Sequence, residues 1–195
     1  MGRLLKRTVQ YVCVVLIFPF ALLSGFGSVY RIYIFFAHTF ACIPGLPGEY
    51  CRAAWYHLTL RKCSLDTTIG FGSFFSKTGA QVGAHVSIGA FCIIGNACVG
   101  ERTQIASHVG IPGGRHQHRR ESDGRLVDGE GETRVVIGSH CWIGESAVVM
   151  ASVGSGSTIG AGAVVVKDIQ ENVVAVGNPA RVIRSDAPVT SNAAS

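Results

Sequence analysis

With 195 residues the chain holds one ordinary domain plus an appendage, and 48% hydrophobic residues against 15% charged exclude a disordered chain. Its net charge of +5 would point to nucleic acid only if clustered on one face, and no basic stripe interleaves with aromatics. What stands out is high hydrophobicity combined with 25 glycines.

The hydrophobicity begins at the N-terminal end. Residues 8–30 contain no Lys, Arg, Asp or Glu, and such a run exceeds the ~20 residues that cross a bilayer. Arg3, Lys6 and Arg7 flank it and would keep the N-terminus cytoplasmic by the positive-inside rule. A second apolar run, residues 32–43, is too short to span, and Pro19, Pro44 and Pro47 predict helix kinks or ends. A cleaved signal peptide, a single span, a re-entrant or interfacial helix pair and a plainly buried helix are the competing readings. Apolar sequence running past any cleavage site argues against the first. The seven Cys, odd in number and without a CxxC pair, read as buried small apolar residues of a reducing compartment, and they favour the helix pair. The expectation is a membrane-associated helical region over residues 1–60, at the cytoplasmic face of the inner membrane.

The glycines fall into a repeat. Aliphatic residues at Val82, Ile88 and Ile94 are six apart, each followed by Gly. After a five-residue step the pattern continues at Val99, Ile105 and Ile111, and after a break at Ile137, Ile143 and Val149. A four-residue step leads to Val153, Ile159 and Val165. A period of six suits neither a helix nor an alternating antiparallel strand, but it suits a parallel β-helix. In that reading the aliphatic residue points inward, a small residue follows at the corner, and another small residue stacks inside two positions before the next aliphatic. Gly is read as the corner residue because it tolerates positive φ.

This register, above all IGSHCWIGESAVVMASVGSGSTIGAGAVVVKDIQENVVAVGNPARVIR at residues 137–184, resembles the hexapeptide-repeat O-acetyltransferases. Residues 43–60 and 69–76 are further similar to acetyltransferases of surface-polysaccharide biosynthesis. The resemblance implies a mainly β fold, a left-handed parallel β-helix over residues 61–184, after an N-terminal apolar helical segment and with a long inserted loop at 112–134. Residues 69–112 and 135–169 would make about four coils, and 185–195 a flexible tail. It also implies a homotrimer, acetyl-CoA as donor and no metal.

The loop interrupts the repeat between Ile111 and Val135. Residues 115–134 hold ten charges, five of each sign, and therefore no nucleic-acid patch. A long excursion in a compact domain is usually functional. Attack of a hydroxyl on a thioester needs a base of near-neutral pKa, and imidazole supplies it. In the resembled family a His at the start of this loop is that base; the position matches His116 best, with His118 as the alternative. His38 and His57 read as packing residues, and His85, His108 and His140 as exposed or stacking residues of the coils.

For the donor, the resemblance carries over Ala161, Val166, Lys167, Arg181 and Arg184. The three cations suit coenzyme phosphates on general grounds. Glu145 departs from the family's Ser or Gly, so no donor contact is assigned to it. Trp142 reads as a corner residue, and the four-residue step from Val149 to Val153 leaves the local register open. The acceptor reads as a saccharide or membrane-borne glycan precursor. Two other functions share the scaffold: a γ-carbonic-anhydrase-like zinc hydratase, and a non-catalytic trimeric membrane scaffold.

Overall fold

The computed structural model describes residues 2–113, 118–120, 123, 125–128 and 134–185, with backbone alone at 3, 118–120 and 126–128. Three helices come first: α1 (Arg3–Leu23), α2 (Tyr30–Ala41) and α3 (Gly45–Thr59). Pro19 stands inside α1 on its exposed side instead of ending the helix, whereas Pro44 caps the start of α3. The helix α1 buries one stripe, Gln10, Ile17 and Ala21, against the rest of the chain and leaves the other face open.

A three-sided β-solenoid follows. Coil 1 is β1 (Lys62–Cys63), β2 (Thr68–Ile69) and β3 (Phe74–Phe75). Coil 2 is β4 (Gln81–Val82), β5 (Ser87–Ile88) and β6 (Ile93–Ile94). Coil 3 is β7 (Ala97–Val99), β8 (Gln104–Ile105) and β9 (Gly110–Ile111). A hairpin, β10 (His118–Arg120) with β11 (Leu126–Asp128), interrupts before coil 4: β12 (Val135–Ile137), β13 (Trp142–Ile143) and β14 (Val148–Val149). Coil 5 enters through a bridge at Val153 and continues as β15 (Thr158–Ile159) and β16 (Val164–Val165). A sixth, partial coil bridges at Ile169 into β17 (Val173–Val176), which pairs antiparallel with β18 (Arg181–Ser185).

Like strands of successive coils pair in parallel, giving three sheets that we call sides A, B and C in chain order. On side B, Ile69, Ile88, Ile105, Ile143 and Ile159 stack in register, each at most 3% exposed. Burying one such side chain stabilises by about 1.5–3 kcal/mol relative to leaving it in water, so the ladder is the core. There are five complete coils, not four. The range counted from Ile69 omits only side A of coil 1, where Cys63 turns inward, and coils 4 and 5 each take 16 residues, from Ile137 to Val153 and from Val153 to Ile169.

The corners correct the reason for the glycines. The residue after each inward aliphatic keeps ordinary φ, but a Cβ there would strike the next coil: at Gly89 it would stand 2.6 Å from the Ser107 nitrogen, and at Gly144 2.5 Å from that of Ala161. Close approach, not dihedral freedom, demands Gly. The left-handed residue lies two positions later and is often not Gly: His85, Phe91, Arg102, His108, His140, Ser146 and Asn172 all have φ between 54° and 59° or, for His108, 60°. The four-residue step at Val149–Val153 preserves register, because Val153 bridges both Ile137 and Ile169. Trp142 is no corner residue; it faces outward from the middle of side B.

The cysteines divide. Cys63, Cys92 and Cys141 are buried, and the thiols of Cys92 and Cys141 donate to the carbonyls of Ala106 (3.1 Å) and Gly154 (3.2 Å) in the next coil. Cys13, Cys51 and Cys98 are half-buried and Cys42 is exposed, so not all seven serve as core residues. Cys42 caps the end of α2, where the chain turns away from the helical packing.

Candidate active site

Variation in the repeat is confined to the corner between sides C and A. The inward residues on either side of it are Phe75 and Val82, Ile94 and Val99, Ile111 and Ile137, Val149 and Val153, Val165 and Ile169. The long loop leaves this corner after coil 3 and returns to it at coil 4. Its return leg is pinned. The Arg134 guanidinium donates Nε–H to Asn96 Oδ1 at 3.4 Å and Nη2–H to the Gly79 carbonyl at 3.3 Å, both on the same edge. Its sequence signal is an Arg placed immediately before the repeat resumes.

His116 lies outside the described residues. The backbone of His118 opens β10 opposite Asp128, while its side chain lies outside what is described. In chain order both fall in the segment between β9 and β12. Val166 and Lys167 occupy the C–A corner of coil 5, two coils further on, a separation of about 10 Å at ~4.8 Å per coil. Beside them Asp168 accepts a hydrogen bond from the Ser152 amide at 2.9 Å, which ties the corners of coils 4 and 5 together. Lys167 is exposed and Val166 half-buried.

The other sequence-selected positions stand on different edges. Ala161 is exposed at the B–C corner of coil 5, following Gly160. Arg181 and Arg184 lie on β18, the edge strand of side B, opposite Val176 and Val174 respectively. Arg181 also donates Nη1–H to the Ala180 carbonyl at 3.0 Å. The chain thus places the start of the loop and Lys167 on one edge and Ala161 with Arg181 and Arg184 elsewhere.

The remaining histidines hold structural positions. His57 Nδ1 lies 2.8 Å from the Cys63 carbonyl, and His38 packs edge-on against Phe74. His85 and His140 form the A–B corners of their coils. At the B–C corner His108 stacks on Phe91 and faces Glu145, its Nδ1 3.7 Å from a carboxylate oxygen. Glu145 accordingly has a partner of its own. Among the described residues no group of three or more His, Cys, Asp or Glu could hold a metal ion.

No protein-family profile matches the chain. Among curated proteins it is 37% identical over 90 residues to the galactoside O-acetyltransferase of Escherichia coli (strain K12), covering 44% of this chain and 42% of that protein. It is 32% identical over 127 residues to WbbJ of the same strain, named for O-acetyl transfer in lipopolysaccharide biosynthesis, covering 59% and 62%. The chain spans 22% to 62% of the length of the first such relatives. A solved galactoside acetyltransferase in complex with coenzyme A superposes with a TM-score of 0.62 at 22% identity, over 81% of this chain and 82% of that one, a likeness of fold. Repeat, solenoid and relatives together make the chain similar to the hexapeptide-repeat acetyltransferases.

Proposed function

We propose that the protein is an acetyl-CoA-dependent O-acetyltransferase acting on a hydroxyl of a saccharide or glycan precursor at a membrane surface. The observation that carries the reading is the shared C–A edge, which the His-bearing segment leaves after β9 and where Lys167 stands two coils on. His116, with His118 as the alternative, takes the acceptor hydroxyl proton as the oxygen attacks the thioester carbonyl. Backbone N–H groups of a facing coil stabilise the oxyanion. The tetrahedral intermediate collapses, the C–S bond breaks, and CoA leaves as its thiol with the proton returned by the imidazolium.

Lys167, Arg181 and Arg184 are positioned to meet donor phosphates, with the backbone at Ala161 and Val166 along the pantetheine arm. Their separation on two edges favours a homotrimer, in which the C–A edge of one copy would face the B–C edge of the next. His116→Ala is expected to lower turnover by at least ~10² with CoA affinity nearly intact. Near-normal turnover in His116→Ala, with loss in His118→Ala, would move the role to His118. Normal turnover in both would remove the mechanism.

A further inference from the structure

The helix α1 is long and apolar enough to cross a membrane by length and composition. Its attachments decide otherwise. Near its start, Lys6 Nζ lies 3.4 Å from Asp66 Oδ1, and Gln10 Nε2 donates to the Leu65 carbonyl at 2.7 Å. Past its end, the turn into α2 is seated at Gly27, where a Cβ would stand 2.8 Å from Thr78 Cγ2 and 2.9 Å from the Thr59 carbonyl. Leu65–Asp66 and Thr78 lie at two corners of coil 1, which differ in height by less than one coil rise of ~5 Å. A helix of 21 residues spans about 31 Å. Upright in a bilayer, α1 would carry these two corners to opposite sides of a ~30 Å hydrocarbon layer and draw the polar coil inside it.

Lying flat, α1 turns a continuous apolar face outward. Leu4, Val12, Val15, Leu16, Leu22 and Leu23 are 51–82% exposed, and Phe35 of α2 adds 64%. The first 48 residues carry four cations, Arg3, Lys6, Arg7 and Arg31, and no carboxylate precedes Glu49. That charge complements an anionic lipid surface. We propose that α1 and α2 dock the protein on one leaflet of an anionic bilayer, α1 in the plane of the surface, with the solenoid standing clear of the membrane and no segment crossing it. This rests on the membrane reading above, and its test is independent of acetyl transfer.

Full-length protein tagged at both ends is added to preformed vesicles, either phosphatidylcholine alone or with about 30% phosphatidylglycerol, and followed by flotation and external proteolysis. The expected result is flotation with the anionic vesicles and cleavage of both tags. Arg31→Ala, whose side chain is exposed, should weaken partition about fivefold. Val15→Glu with Leu16→Glu should weaken it at least tenfold with unchanged melting, because both side chains face outward. Binding with the N-terminal tag protected would overturn the flat geometry while keeping the membrane. Equal binding to both vesicles would overturn the lipid class. No flotation would remove the membrane reading itself. Self-association abolished by the Glu variants, without flotation, would assign the face to a second copy and overturn the proposal.

Discussion

The Nε–H of Arg52 donates to the carbonyl of Ile69 at 2.8 Å, joining the helical cap to the first coil of the solenoid. The same guanidinium reaches the end of α2, its Nη1 meeting the carbonyls of Ile43 at 2.8 Å and Phe40 at 3.0 Å. Phe40 stands in the last turn of α2 and Ile43 just past its end, so the cation also meets the negative end of the helix dipole. Burial lowers the pKa of Arg52, the neighbouring Glu49 opposes this, and the group stays charged.

Arg52→Met should therefore lose about 3 kcal/mol of stability, because it leaves buried acceptors unpaired in a dry site. Arg52→Lys should not restore it, since one ammonium lacks the spread to reach both α2 and Ile69. Denaturant unfolding measures both. A loss under about 1 kcal/mol in Arg52→Met would show that the apolar contacts alone hold the cap.

The two classes of corner glycine should respond differently to a methyl group. Gly89→Ala places a Cβ 2.6 Å from the Ser107 backbone nitrogen and should cost about 3 kcal/mol, by forcing neighbouring coils apart. Gly162→Ala meets open space at φ +67° and should cost only about 1 kcal/mol of dihedral strain. Equal losses on thermal melting would show that φ governs both.

Alkaline conditions should destabilise the fold. Burial pushes the Cys63 thiol up to about 12 and also raises Tyr33, Tyr56, Cys92 and Cys141. In the unfolded chain these groups titrate near their ordinary values, 9.0 for thiols and 10.0 for phenols. Above about pH 9 the native state thus holds more protons than the unfolded state, and stability falls as pH rises. Melting temperature measured from pH 8 to 11 should decline, with a shallower slope in Cys63→Ala. A rise over that interval would contradict the assignment.

The cations should act on the donor's phosphates and not on its reacting end. Lys167→Ala and Arg181→Ala are each expected to raise KM for acetyl-CoA about tenfold, the loss of one charge-assisted contact. With acetyl-pantetheine, which lacks the nucleotide, both variants should match the parent. A parallel loss with the short donor would place these side chains at the thioester instead.

Much of this molecule can be read from its residue order, for a physical reason. A solenoid core one side chain wide repeats its demand every sixth residue, so Val82, Ile88 and Ile94 announce the coils without any knowledge of their contacts. The start of coil 1 escapes because Cys63 meets the same demand with an atypical residue, and helix α3 closes over it. The corner glycines were visible as a pattern, but their cause was not. What a Cβ at Gly89 would strike belongs to a residue 18 positions away.

The sequence by itself determined the period, the inward aliphatic residues, the place where the repeat breaks and the long apolar run of α1. Those are local quantities, set by side-chain size and polarity along a periodic backbone. Only the tertiary structure decided which edge carries the loop, since the edge depends on how many residues each side of each coil consumes. It also decided what Arg52 does, because a lone cation on α3 reads as a surface charge until the carbonyls of Phe40, Ile43 and Ile69 close around it. The attachments of α1, Lys6 to Asp66 and Gly27 against Thr59 and Thr78, are equally long-range. Hydropathy measures the length of a helix, and only its contacts fix its direction.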